Sequence, residues 1–198
     1  WYSSDLIQAR STQLLARNGI RSGSNLFHAG IIAVFLGHFT LFIPEKVYHL
    51  VMSTETKRLV ALSMGTFFGI MAFAGMIILI WRRFFVDNLK KTSNFHDYFI
   101  IILLLAEAAL GLMSVGTTAA GTVPQYSALG EWAQKVITFQ PDAGAVIASH
   151  SIIYKIHILT GLIIIMIFPY TKLMHMLVVP VAYFFRSGFQ LVRKLMQS

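Results

Sequence analysis

The stretch that decides the fold is residues 59–81, LVALSMGTFFGIMAFAGMIILIW, which contains no charged residue. About 20 apolar residues in a helix cross the hydrocarbon core of a bilayer, so this stretch predicts a transmembrane helix. Three further regions are apolar enough for the same interpretation: about 24–43, about 97–117 and a run from about 150 to 180. We therefore predict an all-α transmembrane helical bundle with four spans, forming one membrane-embedded domain over residues 1–198.

The last apolar run is too long for one straight span. Pro169 and Pro180 lie within it, and proline removes a backbone donor and clashes with the preceding turn. We therefore expect a kink or a helix end at these positions. The polar stretch 118–149 separates the third and fourth spans, and its segment EWAQKVITF (131–139) predicts a short interfacial helix.

Composition agrees with a membrane protein. Only 12% of the residues are charged, against roughly 25% in soluble domains. The chain has no cysteine, which excludes disulfides, thiolate-bound zinc, iron–sulfur clusters and covalent haem attachment within these residues. The net charge is +8, but the basic residues lie almost wholly outside the apolar runs. That distribution fits membrane topology and contact with lipid, and not nucleic-acid binding.

The positions of the basic residues predict the orientation. Eleven of the 16 lysines and arginines lie in flanks on one side of the predicted spans, including the basic tail 186–198. Cytoplasmic flanks are enriched in such residues. We therefore expect both ends of these residues to face the cytoplasm, in a multi-pass protein of the cytoplasmic (inner) membrane.

Four of the seven histidines lie inside apolar runs: His28 and His38 in the first span, and His157 and His175 in the fourth. An ionisable residue within a membrane helix is costly and usually marks a functional site. Because these spans run in opposite directions, His28 and His175 should lie near the cytoplasmic side. His38 and His157 should then lie near the outer side, so two pairs are expected at two depths. The spacing differs, at about 15 Å along the first span and about 27 Å along the fourth, and a kink at Pro169 would reduce this mismatch.

A pair of neutral imidazoles can hold a haem iron from both sides, which suits the haem to electron transfer. Gly30, Gly37 and Gly161 lie close in sequence to these histidines and would let a flat macrocycle approach. Ordinary packing of small residues between helices is the alternative, and a single histidine can instead be a hydrogen-bond donor between helices. Zinc prefers three or four ligands clustered at one depth, which this pattern does not offer.

Several segments of this chain resemble the gamma subunit of respiratory nitrate reductase. SNLFHAGIIAVFLGHF (24–39) resembles the first haem-ligand helix of that family. Three later segments resemble the last helix of that family: KIHILTG (155–161), FPYTKLMH (168–175) and VPVAYFF (179–185). Looser matches at GEWAQKVITF (130–139) and QLVR (190–193) extend the resemblance over almost the whole chain.

The resemblance implies a di-haem cytochrome b subunit. His28 and His175 would bind the iron of the inner haem b, and His38 and His157 that of the outer haem b. Electrons from membrane quinol would pass through both haems to an iron–sulfur subunit on the cytoplasmic side. A molybdenum catalytic subunit there would reduce nitrate. The basic segment 82–91 and the tail would help to dock these partners.

The resemblance also implies a quinol site beside the outer haem, formed by Gly37, His38 and Lys57. An ammonium group near a quinol oxygen could stabilise negative charge that develops there. The alternative for Lys57 is an interfacial lysine whose apolar stem lies along the membrane.

Two departures from the family pattern are evident, and Glu107 is a further unusual residue. The family has five spans, so its first span is expected to be missing from residues 1–198. Ala182 stands where the family often has an acidic residue. Glu107 stands near the middle of the third span, where it is either protonated and hydrogen-bonded or part of a proton path.

Three other functions remain open from the sequence. The chain could be a related cytochrome b subunit of another membrane reductase, of the sulfur-compound or heterodisulfide type. It could also be a non-haem membrane anchor or small-solute carrier whose histidines bridge helices, or a metal transporter.

Overall fold

The computed structural model describes residues 20–171 and 173. The regular structure in these residues is helical throughout, which confirms the all-α prediction. The elements are α1 (Ile20–Phe39), a 3₁₀ turn (Thr40–Phe42), α2 (Glu45–Tyr48), α3 (Thr54–Phe85), α4 (Asp87–Thr92), α5 (Phe95–Ala120), α6 (Val123–Ile137), α7 (Ala143–Val146), α8 (Ile152–Ile167) and a second 3₁₀ turn (Phe168–Tyr170). His175, Pro180, Ala182 and the tail 186–198 lie outside the described residues.

Within the described residues, four helical segments are long and apolar enough to cross a membrane: Ser22–Phe42, Thr54–Phe85, Phe95–Ala120 and Ile152–Tyr170. The four-span prediction is therefore confirmed. The second span is several residues longer at each end than the predicted 59–81. The added turns contain basic residues, and a prediction from hydropathy alone excludes such residues from a span. Ser53 begins the helix, because its hydroxyl accepts a hydrogen bond from the Thr56 N–H and satisfies one of the unpaired donors of the first turn.

The fourth span shows the expected effect of proline. Helix α8 ends at Ile167, and Pro169 lies in the 3₁₀ turn that follows. Thr171 after it is extended. Proline cannot donate a backbone hydrogen bond and clashes with the preceding turn, so the helix end predicted at Pro169 is confirmed.

The helix predicted over 131–139 exists but lies earlier and is longer. Helix α6 runs over Val123–Ile137, and Pro124 lies in its first turn, where the missing N–H has no intrahelical partner to lose. Thr122 and Gln125 form a reciprocal capping box at its start. Gly121 and Pro124 therefore lie next to the start of a helix and not in an extended loop.

The spans pack in chain order. Helix α1 lies against α3, α3 against α5, and α5 against α8, whereas α1 and α8 share little or no close backbone contact. A Cβ added at Gly30 would lie 2.5 Å from the Ala72 nitrogen, and one at Gly75 would lie 2.4 Å from the Phe27 nitrogen. These glycines therefore let α1 and α3 touch backbone to backbone, which is the usual basis of association between membrane helices.

Candidate functional site

The structure brings together the outer pair of predicted ligands. His38 lies in the last turn of α1 and His157 in the first half of α8. Their ring centroids are 6.1 Å apart, with the planes inclined by 53°. Two imidazoles that share one metal ion have centres roughly 6 Å apart, since each metal–nitrogen bond is about 2 Å and the nitrogen lies about 1.1 Å from the ring centre. The separation of these rings therefore fits an iron held between them.

Two of the predicted ligands use the backbone of their own helix to fix the ring. Nδ1 of His38 donates to the carbonyl oxygen of Val34 at 2.8 Å. Nδ1 of His28 donates to the carbonyl oxygen of Ser24 at 2.7 Å. A carbonyl can only accept, so Nδ1 carries the proton and Nε2 presents its lone pair. Metal-bound histidines commonly have this arrangement, in which the nitrogen not bound to metal donates to a carbonyl or carboxylate.

His157 differs, because its Nδ1 faces a carboxyl group on the neighbouring span. Nδ1 lies 3.1 Å from Oε1 of Glu107 on α5, and the two side chains are 17% and 21% exposed. The approach is oblique, and among the described residues neither His157 Nδ1 nor Glu107 Oε2 has a hydrogen-bond partner. A buried polar atom left without a partner costs about 1–3 kcal/mol. These two atoms therefore mark a polar site inside an apolar bundle.

Glycines make room for this His157–Glu107 pair. A Cβ at Gly111 would lie 3.3 Å from Cε1 of His157, and one at Gly161 would lie 3.0 Å from Oε1 of Glu107. By contrast, Gly30 contacts the α3 backbone, so the alternative of helix packing holds there. A Cβ added at Gly37 would have no atom of the described residues within 4 Å, which leaves open space next to His38.

Lys57 lies at the same end of the bundle as His38. Its Nζ donates to the carbonyl oxygen of Thr40 at 2.9 Å and lies 3.8 Å from the centroid of the Tyr48 ring. The Thr40 hydroxyl in turn donates to the carbonyl oxygen of Gly37 at 2.7 Å. Two of the three residues predicted for the quinol site, Gly37 and Lys57, are thus linked through Thr40, in the turn that directly follows α1.

Sequence reasoning missed three contributors to this end of the molecule. Thr40 and Tyr48 position the Lys57 ammonium. Tyr126 on α6 is buried, and burial, followed by the nearby Tyr48, raises the pKa of its phenol to about 12. No local pattern singles out these residues, because their roles depend on contacts between separate elements.

Arg58 stabilises the same end of the bundle. Its guanidinium donates to the carbonyl oxygens of Thr118, Ala119 and Gly121, at 2.8, 3.0 and 2.8 Å. These carbonyls lie at or just beyond the end of α5, where helix carbonyls lack partners in a following turn and where the helix dipole favours positive charge. Arg58 therefore ties α3 to the end of α5.

The opposite end contains His28, whose predicted partner His175 lies outside the described residues. Nearby basic residues have structural contacts. The Arg83 guanidinium lies 2.9 Å from Oδ2 of Asp97, which is 4% exposed, and Arg82 is buried. In the predicted docking segment 82–91, Lys90 and Lys91 are the exposed basic residues.

The part of the chain that the structure describes contains no candidate zinc site. No group of three or more histidine, cysteine, aspartate and glutamate residues converges there in a way that could hold a metal ion. A haem iron needs only two axial ligands from the protein, so the pair of His38 and His157 fits haem better than zinc.

Comparison with known proteins identifies the family of this chain. The family described as nitrate reductase gamma subunit matches residues 2–195. The respiratory nitrate reductase 1 gamma chain of Escherichia coli (strain K12) is 34% identical over 188 residues, covering 94% of this chain and 83% of that relative. The nitrate reductase gamma chain of Bacillus subtilis (strain 168) is 32% identical over 182 residues, covering 90% and 81%. This chain therefore belongs to the nitrate reductase gamma subunit family.

Proposed function

We propose that this chain is the quinol-oxidising di-haem cytochrome b subunit of a respiratory nitrate reductase in the cytoplasmic membrane. It would pass electrons to an iron–sulfur subunit and, through it, to a molybdenum subunit that reduces nitrate. The observation that carries the proposal is the proximity of the His38 and His157 imidazoles on the first and last described spans, with ring centroids 6.1 Å apart. Family membership supports nitrate reductase over the sulfur-compound and heterodisulfide enzymes.

Four histidines would hold the two haems, with His38 and His157 as ligands on the outer side and His28 and His175 on the inner side. The hydrogen bonds from His38 to Val34 and from His28 to Ser24 keep each ring in one tautomer and direct Nε2 away from its own helix. When bound with both axial positions filled, haem supplies one-electron transfer without a site for oxygen or substrate.

Lys57 would bind the quinol. Its ammonium has three N–H donors and already donates to the turn that follows His38. A quinol oxygen placed there would receive a charge-assisted hydrogen bond, which stabilises the negative charge that remains when the hydroxyl proton leaves. The open space at Gly37 would admit the ring of the substrate. Protons released at this end would leave on the outer side of the membrane.

The cytoplasmic partners would dock on basic groups at the other end. Lys90 and Lys91 are exposed in the connection between the second and third spans. Together with the tail 186–198, they would attract acidic surfaces on the iron–sulfur and molybdenum subunits. The large apolar side chains exposed on the spans, such as Phe67 and Phe35, would contact lipid or neighbouring membrane segments.

The central test is haem content, measured on the purified complex by its reduced-minus-oxidised spectrum and by extraction. We expect two b haems per chain in the wild type and one in each of the variants His38→Ala and His157→Ala. The matched control is His96→Ala, which removes an exposed histidine and should leave two haems. A colourless wild-type complex, or His38 and His157 variants that keep both haems, would refute the proposal.

A further inference from the structure

We propose that Glu107 is a positioning residue for His157: its carboxylate accepts the Nδ1–H of that imidazole and thereby lowers the reduction potential of the outer haem. This inference rests on the proposed function, because it assigns a role to a residue that touches a proposed ligand and not the haem itself. It explains why an acidic side chain is present near the middle of an apolar span, where such a group is costly.

The first observation is the placement of the carboxyl group. Glu107 and His157 lie on neighbouring spans that pack closely, α5 and α8. The 3.1 Å between Oε1 and Nδ1 is already within the range of an N–H···O hydrogen bond. The contact does not meet the geometry of a hydrogen bond in the structure, so the proposed bond requires a change in alignment. Catalytic and ligand hydrogen bonds are often poorly aligned until the bound group fixes the side chain.

The second observation is a difference among the three described ligands. His28 and His38 each donate Nδ1–H to the carbonyl four residues earlier in their own helix. His157 lacks that bond, and its Nδ1 is buried without a hydrogen-bond partner among the described residues. Oε2 of Glu107 is likewise buried without one. A hydrogen bond from His157 to the carboxylate would satisfy the ring nitrogen with an acceptor that lies 3.1 Å from it.

The third observation is the space that both side chains occupy. Gly161 lies directly beside the carboxyl group, and Gly111 lies beside the imidazole. A Cβ at Gly161 would lie 3.0 Å from Oε1 of Glu107, which is tight enough to displace it. The two glycines therefore allow a glutamate and a histidine to lie side by side between α5 and α8.

The chemical consequence follows from the strength of the acceptor. A carboxylate pulls the Nδ1 proton more strongly than a backbone carbonyl does, so Nε2 becomes a more basic ligand. A more basic ligand, with a negative charge behind it, stabilises the oxidised iron more than the reduced iron. The outer haem should therefore have a lower potential than it would with a neutral partner at position 107.

The experiment is a potentiometric titration of the intact complex, followed by the absorbance of the b haems. The variants are Glu107→Gln, which has the same shape without the charge, and Glu107→Asp, which keeps a carboxylate. The component that disappears in His38→Ala identifies the outer haem. We expect Glu107→Gln to raise the potential of that component alone, with both haems retained. Glu107→Asp should stay closer to the wild type.

Glu131→Gln is the matched control, because it removes an exposed carboxylate that pairs with Lys135 outside the spans, and it should shift neither component. The inference is overturned if Glu107→Gln leaves both potentials unchanged, even where it slows quinol oxidation, since that result would indicate a role in proton transfer. It is also overturned if Glu107→Asp shifts the potential as far as Glu107→Gln. A wild-type complex without haem would refute the proposed function itself, which is a different result.

Discussion

Helix α1 has two very different neighbours. Against α3 it is packed backbone to backbone, because Gly30 and Gly75 bring no side-chain atom into the contact. Towards α8 it makes little or no close backbone contact, and the rings of His38 and His157 face each other there. Since helices in lipid gain no hydrophobic energy from touching each other, they approach where small residues permit van der Waals contact. Between α1 and α8, two imidazole rings lie close together.

The largest effect should come from adding a side-chain atom to the face where α1 and α3 pack together. Gly75→Ala would place a Cβ 2.4 Å from the Phe27 nitrogen, and backbone cannot move aside as a flexible side chain can. We expect overpacking to lower the free energy of unfolding by about 1–3 kcal/mol, despite the higher helix propensity of alanine. The measurement is thermal unfolding of the purified complex, together with the amount of protein in membranes.

Gly116→Ala is the matched control for that variant. Gly116 also lies within a span, but no atom of the described residues lies within 4 Å of a Cβ added there. The substitution should be neutral or stabilising by up to about 1 kcal/mol. If Gly75→Ala were as stable as Gly116→Ala, the close contact between α1 and α3 would not exist in the membrane.

A smaller and more selective effect should come from the proposed quinol site at the end of α1. Lys57→Ala removes the ammonium from the turn after His38, and loss of such a group typically slows catalysis about hundredfold. We expect reduction of the b haems by a quinol analogue to slow by at least about tenfold, whereas the spectrum after chemical reduction stays unchanged. Stopped-flow absorbance measures both.

Lys46→Ala serves as the control for Lys57, because Lys46 is an exposed lysine in α2 at the same end of the bundle. It should leave the quinol rate unchanged. Equal rates for Lys57→Ala and the wild type would leave Lys57 as an interfacial lysine without a part in quinol oxidation.

The smallest effect should come from the tie between α3 and α5. Arg58→Met keeps the apolar stem and loses the hydrogen bonds to the last carbonyls of α5. We expect a loss of about 1–2 kcal/mol and a lower melting temperature with the haem spectrum intact. Arg58→Lys, which keeps the charge but not the planar group of donors, should fall between Arg58→Met and the wild type. An unchanged melting temperature for Arg58→Met would show that water or lipid headgroups cap this helix equally well.

The sequence predicted the elements better than their ends. Four apolar runs gave four spans because hydropathy over about 20 residues is a strong signal. The ends of α3 were missed because Lys57 and Arg83 interrupt the apolar run, although both remain within the helix. The start of α6 was missed because the helix was predicted only over 131–139, whereas Pro124 lies in its first turn, where proline is favourable.

The candidate site was predicted less completely. The opposite directions of the first and last spans paired His38 with His157, and the structure places their ring centroids 6.1 Å apart. The pairing of His28 with His175 remains a prediction. The partner of His157 could not be found from sequence, because Glu107 lies on another span and no periodic pattern connects the two positions. Gly30 was predicted to make room for a haem because it is close in sequence to His28, yet it packs against α3.

By itself, the sequence determined that this chain lies in a membrane. It also determined the four spans found in the described residues and the ionisable residues inside them. These properties depend on composition along a helix, which each segment carries independently of its neighbours. Only the tertiary structure decided which spans touch, that Lys57 reaches the turn after α1, and that Glu107 faces His157. Those contacts depend on the packing of small residues between helices. A glycine in the sequence can lie at a close backbone contact, next to open space or beside a carboxyl group, and the sequence does not distinguish these cases.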